Sequence, residues 1–157
     1  MQLEHYLDRI QYRSDLTPTL SVLKAIYVAH VCSIPFESID VQLGRRLAIS
    51  INDAYRKIVE QHRGGWCYEQ NGLFGWALSE IGFQVTRLAA SVMRNPEDDQ
   101  SAVNHLCLLV TCPGGAQLQY LADVGFGGGM FKPLLLTERA YCQSLFELGL
   151  KQLDDGY

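Results

Sequence analysis

The chain has 157 residues, 48% of them hydrophobic and 19% charged, and its formal net charge is −4 at pH 7. This length and composition are typical of a globular protein with one core or two small interdependent subdomains. Lysines and arginines are scattered along the chain and the apolar runs are short. The sequence therefore excludes a basic stripe for nucleic acid, a surface for an anionic membrane and a membrane-spanning segment.

The cysteines and the first residues indicate the compartment. Five cysteines, at positions 32, 67, 107, 112 and 142, make an odd number with irregular spacing, which is not typical of a disulfide framework. Residues 1–5 lack the basic and apolar regions of a secretory signal. We therefore expect a cytoplasmic protein whose thiols stay reduced.

Two helices are predicted before the first glycine pair. The first begins at Thr17 and Pro18, carries apolar residues at helical spacing and is stopped by Pro35. Residues 36–47 then form an irregular or partly extended connection. A second helix is capped by Asn52 and ends at glycines 64 and 65, which permit positive φ.

A third helix is predicted from Cys67 to Gly82, a residue that suits the C′ position. Its apolar residues lie on several sides, so we expect it to be buried in the middle of the fold. The pattern then changes to strands at residues 83–94, 105–112, 117–124 and 134–136. The expected fold class is α+β, with a helical domain at 1–82 that carries the Cys67 helix and an antiparallel sheet or small barrel at 83–157.

The sequence around Cys67 is the first candidate for chemistry. Residues 63–72 read RGGWCYEQNG, which places the cysteine at the first turn of the third helix. Unpaired N–H groups and the helix dipole favour a thiolate there, and the nearby Arg63 acts in the same direction. A buried structural cysteine after a glycine turn explains the same pattern.

A histidine and an aspartate on neighbouring strands form the second candidate. If the turn after Cys112 is centred on Gly114, His105 and Asp123 are directly opposed, with Cβ atoms about 4.5–5.5 Å apart. Such a pair hydrogen-bonds and fixes the imidazole tautomer. With the Cys67 helix packed on that face, the three residues would form the Cys–His–Asp triad of thiol acyl transfer.

Three other interpretations stay open at this point. His105 alone is also consistent with a satisfied core histidine, and Asp123 with an exposed strand residue. Cys107 and Cys112 suggest zinc, but no second Cys/His pair has the required spacing, so we expect no metal. The glycine-rich residues 125–129 suit either a pyrophosphate cradle or the corner of a barrel.

These blocks resemble the arylamine N-acetyltransferase family. The resemblance covers essentially the whole chain, through HVCSIPFESIDV at 30–41, RGGWCYEQNG at 63–72, the segment 105–110 and DVGFGG at 123–128. It implies a helical first domain that carries the cysteine and a β-barrel second domain that carries the histidine and aspartate. Two positions depart from the family pattern, Ser38 and Asn104. The family's third, α/β domain is expected to be absent from this chain.

The resemblance also implies roles for individual residues. Cys67 is implied to be the acetylated nucleophile, His105 its base and Asp123 the orienting carboxylate. Phe36 and Phe126 match aromatic positions of the acceptor pocket, and Gly127 matches a glycine on the coenzyme side.

The implied reaction is ping-pong transfer of an acetyl group from acetyl-CoA, through an acetyl-cysteine, to an arylamine, hydrazine or N-hydroxyarylamine. The alternatives are a thiol hydrolase, an amide synthase of the same fold, and a weakly active or inactive remnant. An exposed apolar seam is also expected to favour a homodimer.

Overall fold

The computed structural model describes residues 1–92, 103–114, 117–127, 130–137, 139–143 and 146–152. The helices within these ranges are α1 (Leu3–Arg9), α2 (Leu20–Ser33), α3 (Ile39–Gln42), α4 (Ile51–Tyr55) with a π-helical turn at Arg56–Glu60, and α5 (Cys67–Ile81). The strands are β1 (Gln84–Ala90), β2 (His105–Thr111), β3 (Gln119–Ala122), β4 (Leu134–Leu135), β5 (Arg139–Gln143) and β6 (Phe146–Leu150). This order confirms the predicted α+β class, with helices first and antiparallel strands after them.

The starts of the early helices differ from the prediction. Thr19 caps α2, since its hydroxyl accepts a hydrogen bond from the backbone N–H of Val22 at 3.4 Å. Ser50, rather than Asn52, caps α4. In both cases a neighbouring hydroxyl two residues from the predicted cap satisfies the free N–H groups of the first turn. The ends of α2, before Pro35, and of α5, at Gly82, lie where they were predicted.

Gly64 and Gly65, the pair before α5, do not adopt the positive φ that the sequence predicted for them. The positive φ in this turn belongs to His62, at 53°, and neither glycine has one. A Cβ at Gly64 would lie 2.2 Å from the backbone oxygen of Pro35. Gly65 forms a parallel bridge with Phe36. The pair therefore lets two backbone segments approach closely, and the segment predicted to be irregular also contains α3.

The helix α5 is buried at the centre of the core, as its all-round apolar character predicts. Leu73, Phe74, Ala77 and Leu78 are inaccessible to solvent. On the sheet side, Gly75 brings the helix against Leu108, whose side-chain carbons would lie 3.3 and 3.4 Å from a Cβ at that glycine. The helix α5 and the sheet therefore share one core.

The strands form a four-stranded antiparallel sheet in the order β1-β2-β3-β4, and β5 and β6 form a separate hairpin. In the register of β2 and β3, Leu108 pairs with Ala122 and Thr111 pairs with Gln119. This register is shifted from one centred on Gly114, so the prediction that His105 and Asp123 are directly opposed is wrong. Leu108, which contacts α5, lies on the opposite face of β2 from His105 by strand alternation, so α5 does not pack on the predicted face.

Candidate active site

Cys67 is the first residue of α5 and is 8% exposed. The start of the helix is fixed by Glu69, whose carboxylate accepts a hydrogen bond from the backbone N–H of Trp66 at 3.2 Å. The same carboxylate oxygen lies 2.7 Å from the ammonium group of Lys57. Trp66, the residue before Cys67, is therefore held by Glu69, and Glu69 is held in turn by the buried charge of Lys57.

A cluster of buried charges supports this helix start. The Lys57 ammonium also lies 3.2 Å from carboxylate oxygens of Glu37 and Asp40. Arg63 contacts the same two oxygens, at 2.7 and 3.0 Å. The Arg63 guanidinium is thus paired with two carboxylates, and its influence on Cys67 remains a prediction. What the cluster does is tie the segment after α2 to the turn before Cys67.

His105 and Asp123 meet despite the shifted register. Nε2 of His105 lies 2.6 Å from Oδ2 of Asp123. The register continues to place Asp123 beside Cys107, so His105 is its diagonal neighbour on the same face of the sheet, a separation that long side chains bridge. Because β2 begins where β3 ends, both residues lie at one end of the sheet, 6% and 7% exposed.

The surroundings of His105 favour its charged form. The hydrogen bond with Asp123, followed by the one with Cys67, raises the pKa of His105 to about 9 against the opposing effect of burial. Nε2 is engaged by Asp123, and His105 also hydrogen-bonds with Cys67. An imidazolium can donate to both partners at once. At neutral pH His105 is therefore an imidazolium held between the carboxylate of Asp123 and the side chain of Cys67.

Asn71 completes the site and was not singled out from the sequence. Its amide nitrogen donates to Oδ1 of Asp123 at 2.8 Å and to the backbone oxygen of Leu106 at 2.7 Å. Its amide oxygen accepts from the backbone N–H of Val124 at 2.9 Å. The signal was present in the sequence, because a residue four positions after Cys67 lies on the same face of a helix.

Gly125 places the loop after β3 directly against Cys67. Its N–H donates to Oδ1 of Asp123 at 3.0 Å. A Cβ at this position would lie 2.7 Å from Cα of Cys67 and 2.8 Å from the amide nitrogen of Asn71. Only glycine permits this approach without a shift of backbone.

A cleft of about 240 Å³ opens beside these residues and contains the three remaining predicted positions. Phe36 and Phe126 line it and are about half exposed, at 48% and 51%. Gly127, with φ of 78°, lies against the ring of Phe36. The ring of Phe126 also packs edge-on against His105, with centroids 5.8 Å apart. The cleft thus places the predicted acceptor positions beside Asp123, and Phe126 also contacts His105.

A buried chain of hydrogen bonds lies behind the turn that precedes Cys67. Nδ1 of His30 lies 2.9 Å from the hydroxyl of Tyr6, and Nε2 lies 3.2 Å from Oε1 of Gln70. The amide nitrogen of Gln70 donates to the backbone oxygen of Gly65 at 2.8 Å. Complete burial lowers the pKa of His30 to about 3, so this ring is neutral. His30, which the sequence placed on a predicted helix, is therefore a buried residue that stabilises the core.

The alternatives raised by the sequence find limited support. Among the residues that the structure describes, no group of three His, Cys, Asp or Glu side chains could hold a metal ion. Burial, and then the charge of Asp123, raises the pKa of Cys107 to about 11. Gly128 and Gly129 lie outside the described residues, so the pyrophosphate cradle remains a hypothesis. The two departures from the family pattern have local contacts: Ser38 precedes α3, and Asn104 accepts from the N–H of Val92 at 2.8 Å.

Comparison with known proteins identifies the family. The family model described as N-acetyltransferase matches residues 19–147. The chain belongs to the arylamine N-acetyltransferase family. An arylamine N-acetyltransferase from Mycolicibacterium smegmatis is 46% identical over 131 residues, covering 82% of this chain and 47% of the relative. One from Mycobacterium bovis is 42% identical over 131 residues, covering 82% and 46%.

A solved structure shows the same similarity. The Mycobacterium marinum arylamine N-acetyltransferase in complex with CoA matches with a TM-score of 0.88 and 40% identity, covering 98% of this chain and 58% of that one. The chain spans about half the length of the curated arylamine N-acetyltransferases it matches. No helix in the described part of the chain is long and apolar enough to cross a membrane.

Proposed function

We propose that the chain carries the acetyl-transfer chemistry of the arylamine N-acetyltransferases, with Cys67 as nucleophile, His105 as acid and base, and Asp123 as the residue that orients His105. The observation that carries this proposal is the 2.6 Å contact between His105 and Asp123, next to a cysteine at a helix start. A thiolate at that position attacks the thioester of acetyl-CoA, an S-acetyl cysteine forms, and CoA leaves as the thiol.

The second half of the proposed reaction uses the aromatic cleft. An arylamine, hydrazine or N-hydroxyarylamine enters between Phe36 and Phe126, and its nitrogen attacks the acetyl-cysteine. His105 removes the proton that the nitrogen loses, and the Cys67 thiolate is the leaving group. Weakly basic amines suit this step because they are unprotonated at neutral pH. Gly127 is proposed to border the coenzyme, and the N–H of Cys67 to stabilise the oxyanion.

Domain roles and compartment complete the proposal. Residues 1–82 supply the nucleophile and residues 83–157 supply His105 and Asp123, so the site forms only when both parts fold together. All five cysteines are free, which supports a reducing compartment and hence a cytoplasmic location.

The test is one incubation with acetyl-CoA, followed by intact mass and peptide mapping. The proposed function requires one added acetyl group on Cys67, its loss on addition of aniline, and formation of acetanilide. Cys67→Ala must abolish the adduct, while Cys142→Ala, at an exposed position, must leave it unchanged. A thiol hydrolase or an amide synthase would ignore acetyl-CoA, and an inactive remnant would not be acetylated. Absence of the adduct from a folded protein that still alkylates at Cys67 would therefore favour these three alternatives over the proposed function.

A further inference from the structure

Tyr27, in the middle of α2, is fully buried and contacts the backbone of Asp123. Its ring packs edge-on against Phe74 of α5, with centroids 5.9 Å apart and planes at 85°. This packing fixes where the hydroxyl points. Burial raises the pKa of Tyr27, so the hydroxyl remains protonated and acts as a donor.

The hydroxyl contacts both ends of the loop after β3. It donates to the backbone oxygen of Asp123 at 2.5 Å, and the backbone oxygen of Met130 lies 3.3 Å away. These two carbonyls bracket residues 124–129, which include Gly125 and Phe126. The hydroxyl proton of Tyr27 is shared between these two carbonyl oxygens. It therefore holds the ends of the loop together and attaches both to α2.

Residues of the loop and residues of α2 line the same cleft. Phe126, Gly127 and Met130 belong to the loop, Val31 and Cys32 belong to α2, and Phe36 follows α2. The hydrogen bonds of the Tyr27 hydroxyl with the backbone oxygens of Asp123 and Met130, called the tether below, therefore link two segments that line the cleft.

The carboxylate of Asp123 does not depend on this tether. Oδ1 accepts from Asn71 and from the N–H of Gly125, and Oδ2 contacts His105. None of these three contacts involves the Tyr27 hydroxyl. The tether consequently affects the position of the loop more than the orientation of His105.

We propose that Tyr27 is a positioning residue for the acceptor: its hydroxyl ties both ends of the 123–130 loop to α2 and so sets the width of the cleft between Phe36 and Phe126. The acceptor role of the cleft rests on the function proposed above, whereas the tether itself does not. The inference concerns acceptor binding and leaves formation of the acetyl-cysteine unaffected.

Tyr27→Phe tests the proposal, because it removes only the hydroxyl. The matched control is Tyr55→Phe, another buried tyrosine whose hydroxyl bonds to the backbone of Gln2 and whose ring packs edge-on against Trp76. We expect Tyr27→Phe to raise the KM for aniline about five- to tenfold, the equivalent of one lost hydrogen bond. The rate at which p-nitrophenyl acetate acetylates Cys67 should stay unchanged in both variants.

A second readout does not depend on activity. Amide hydrogen exchange at Phe126 and Gly127 should accelerate in Tyr27→Phe and remain at the wild-type rate in Tyr55→Phe. The proposal is overturned if both variants show the same KM and exchange, or if Tyr27→Phe slows acetylation of Cys67 as much as transfer to aniline. If the wild-type chain transfers no acetyl group, the proposed function is wrong. The hydrogen-exchange rates at Phe126 and Gly127 then test the Tyr27 tether on their own.

Discussion

Asn71 and Asp123 are joined by a 2.8 Å hydrogen bond that links α5 to the strand-rich half of the molecule. Asn71 lies one helical turn after Cys67, and Asp123 contacts His105 through its other carboxylate oxygen. Fixing Asn71 therefore fixes Cys67 and the His105 pair relative to each other. The site is held by α5 as much as by the sheet.

Replacing Asn71 should damage both stability and chemistry. Asn71→Ala leaves the buried oxygen of Leu106 and the N–H of Val124 without their partner, at about 1–3 kcal/mol for each group. Urea unfolding should show this loss, and acetylation of the remaining folded protein should slow. Asn52→Ala, at an exposed position of α4, should change the free energy of unfolding by less than about 0.5 kcal/mol. Equal effects of the two substitutions would contradict the role given to Asn71.

The charge of His105 should persist above neutral pH. Its raised pKa predicts an NMR titration midpoint near 9, and Asp123→Asn should lower that midpoint because it removes the first cause of the shift. Asp53→Asn, on the surface of α4, is the control and should leave the midpoint unchanged.

A raised pKa in the folded state has a defined sign for stability. The contribution of His105 is fully present below about 6.5, its value in the unfolded chain, and is lost as pH rises through about 9. The urea concentration at the unfolding midpoint of the wild type should therefore decrease as the pH is raised from about 6.5 to about 9. A flat profile in this window, or a His105 midpoint near 6.5, would show that the pair with Asp123 does not form.

His30 should make the protein sensitive to acid. The pKa of His30 is about 3 in the folded protein and 6.5 in the unfolded chain. Between these pH values the unfolded chain therefore binds a proton that the folded protein does not bind. The free energy of unfolding should drop by about 1.4 kcal/mol for each pH unit below about 6.5 from this residue alone. His30→Gln should remove that part of the pH dependence, even if it lowers stability overall. His5→Gln, at an exposed histidine, should preserve it; a slope that survives in His30→Gln would assign the acid sensitivity elsewhere.

Alkylation should separate Cys67 from the other thiols. Cys67 lies at the start of α5 and is hydrogen-bonded to His105, the arrangement in which a neighbouring imidazole activates a thiol nucleophile. At mildly acidic pH, iodoacetamide should modify Cys67 before the exposed Cys32 and Cys142 and long before Cys107. His105→Gln should abolish this preference. Peptide mapping that finds Cys142 modified first would remove Cys67 from its proposed role.

Gly125→Ala should disturb the site through backbone contact. The added Cβ would lie 2.7 Å from Cα of Cys67, so the loop and the helix must move apart. We expect a loss of about 1–3 kcal/mol in stability and a large loss of acetylation. Gly149→Ala is the control, since a Cβ there has no atom within 4 Å. An active, fully stable Gly125→Ala protein would mean that the loop does not contact Cys67 in solution.

Local patterns in the sequence determined the class of fold and the ends of its central helix. The all-round apolar pattern of α5 is visible without neighbours, and so are its start at Cys67 and its end at Gly82. The family blocks also drew attention to Cys67, His105 and Asp123. These features depend on the properties of each segment alone, such as periodicity, capping and backbone freedom, and a sequence contains that information directly.

The tertiary structure decided how those residues meet. The register of β2 and β3 is one residue away from the turn centre that the Pro-Gly-Gly composition indicated, and it makes His105 and Asp123 diagonal rather than opposed. Sequence reasoning did not identify Asn71, Gly125 or Tyr27 because each acts through a partner more than 50 positions away. Such contacts arise when buried polar groups and close backbones find partners during packing, and packing depends on all the segments together.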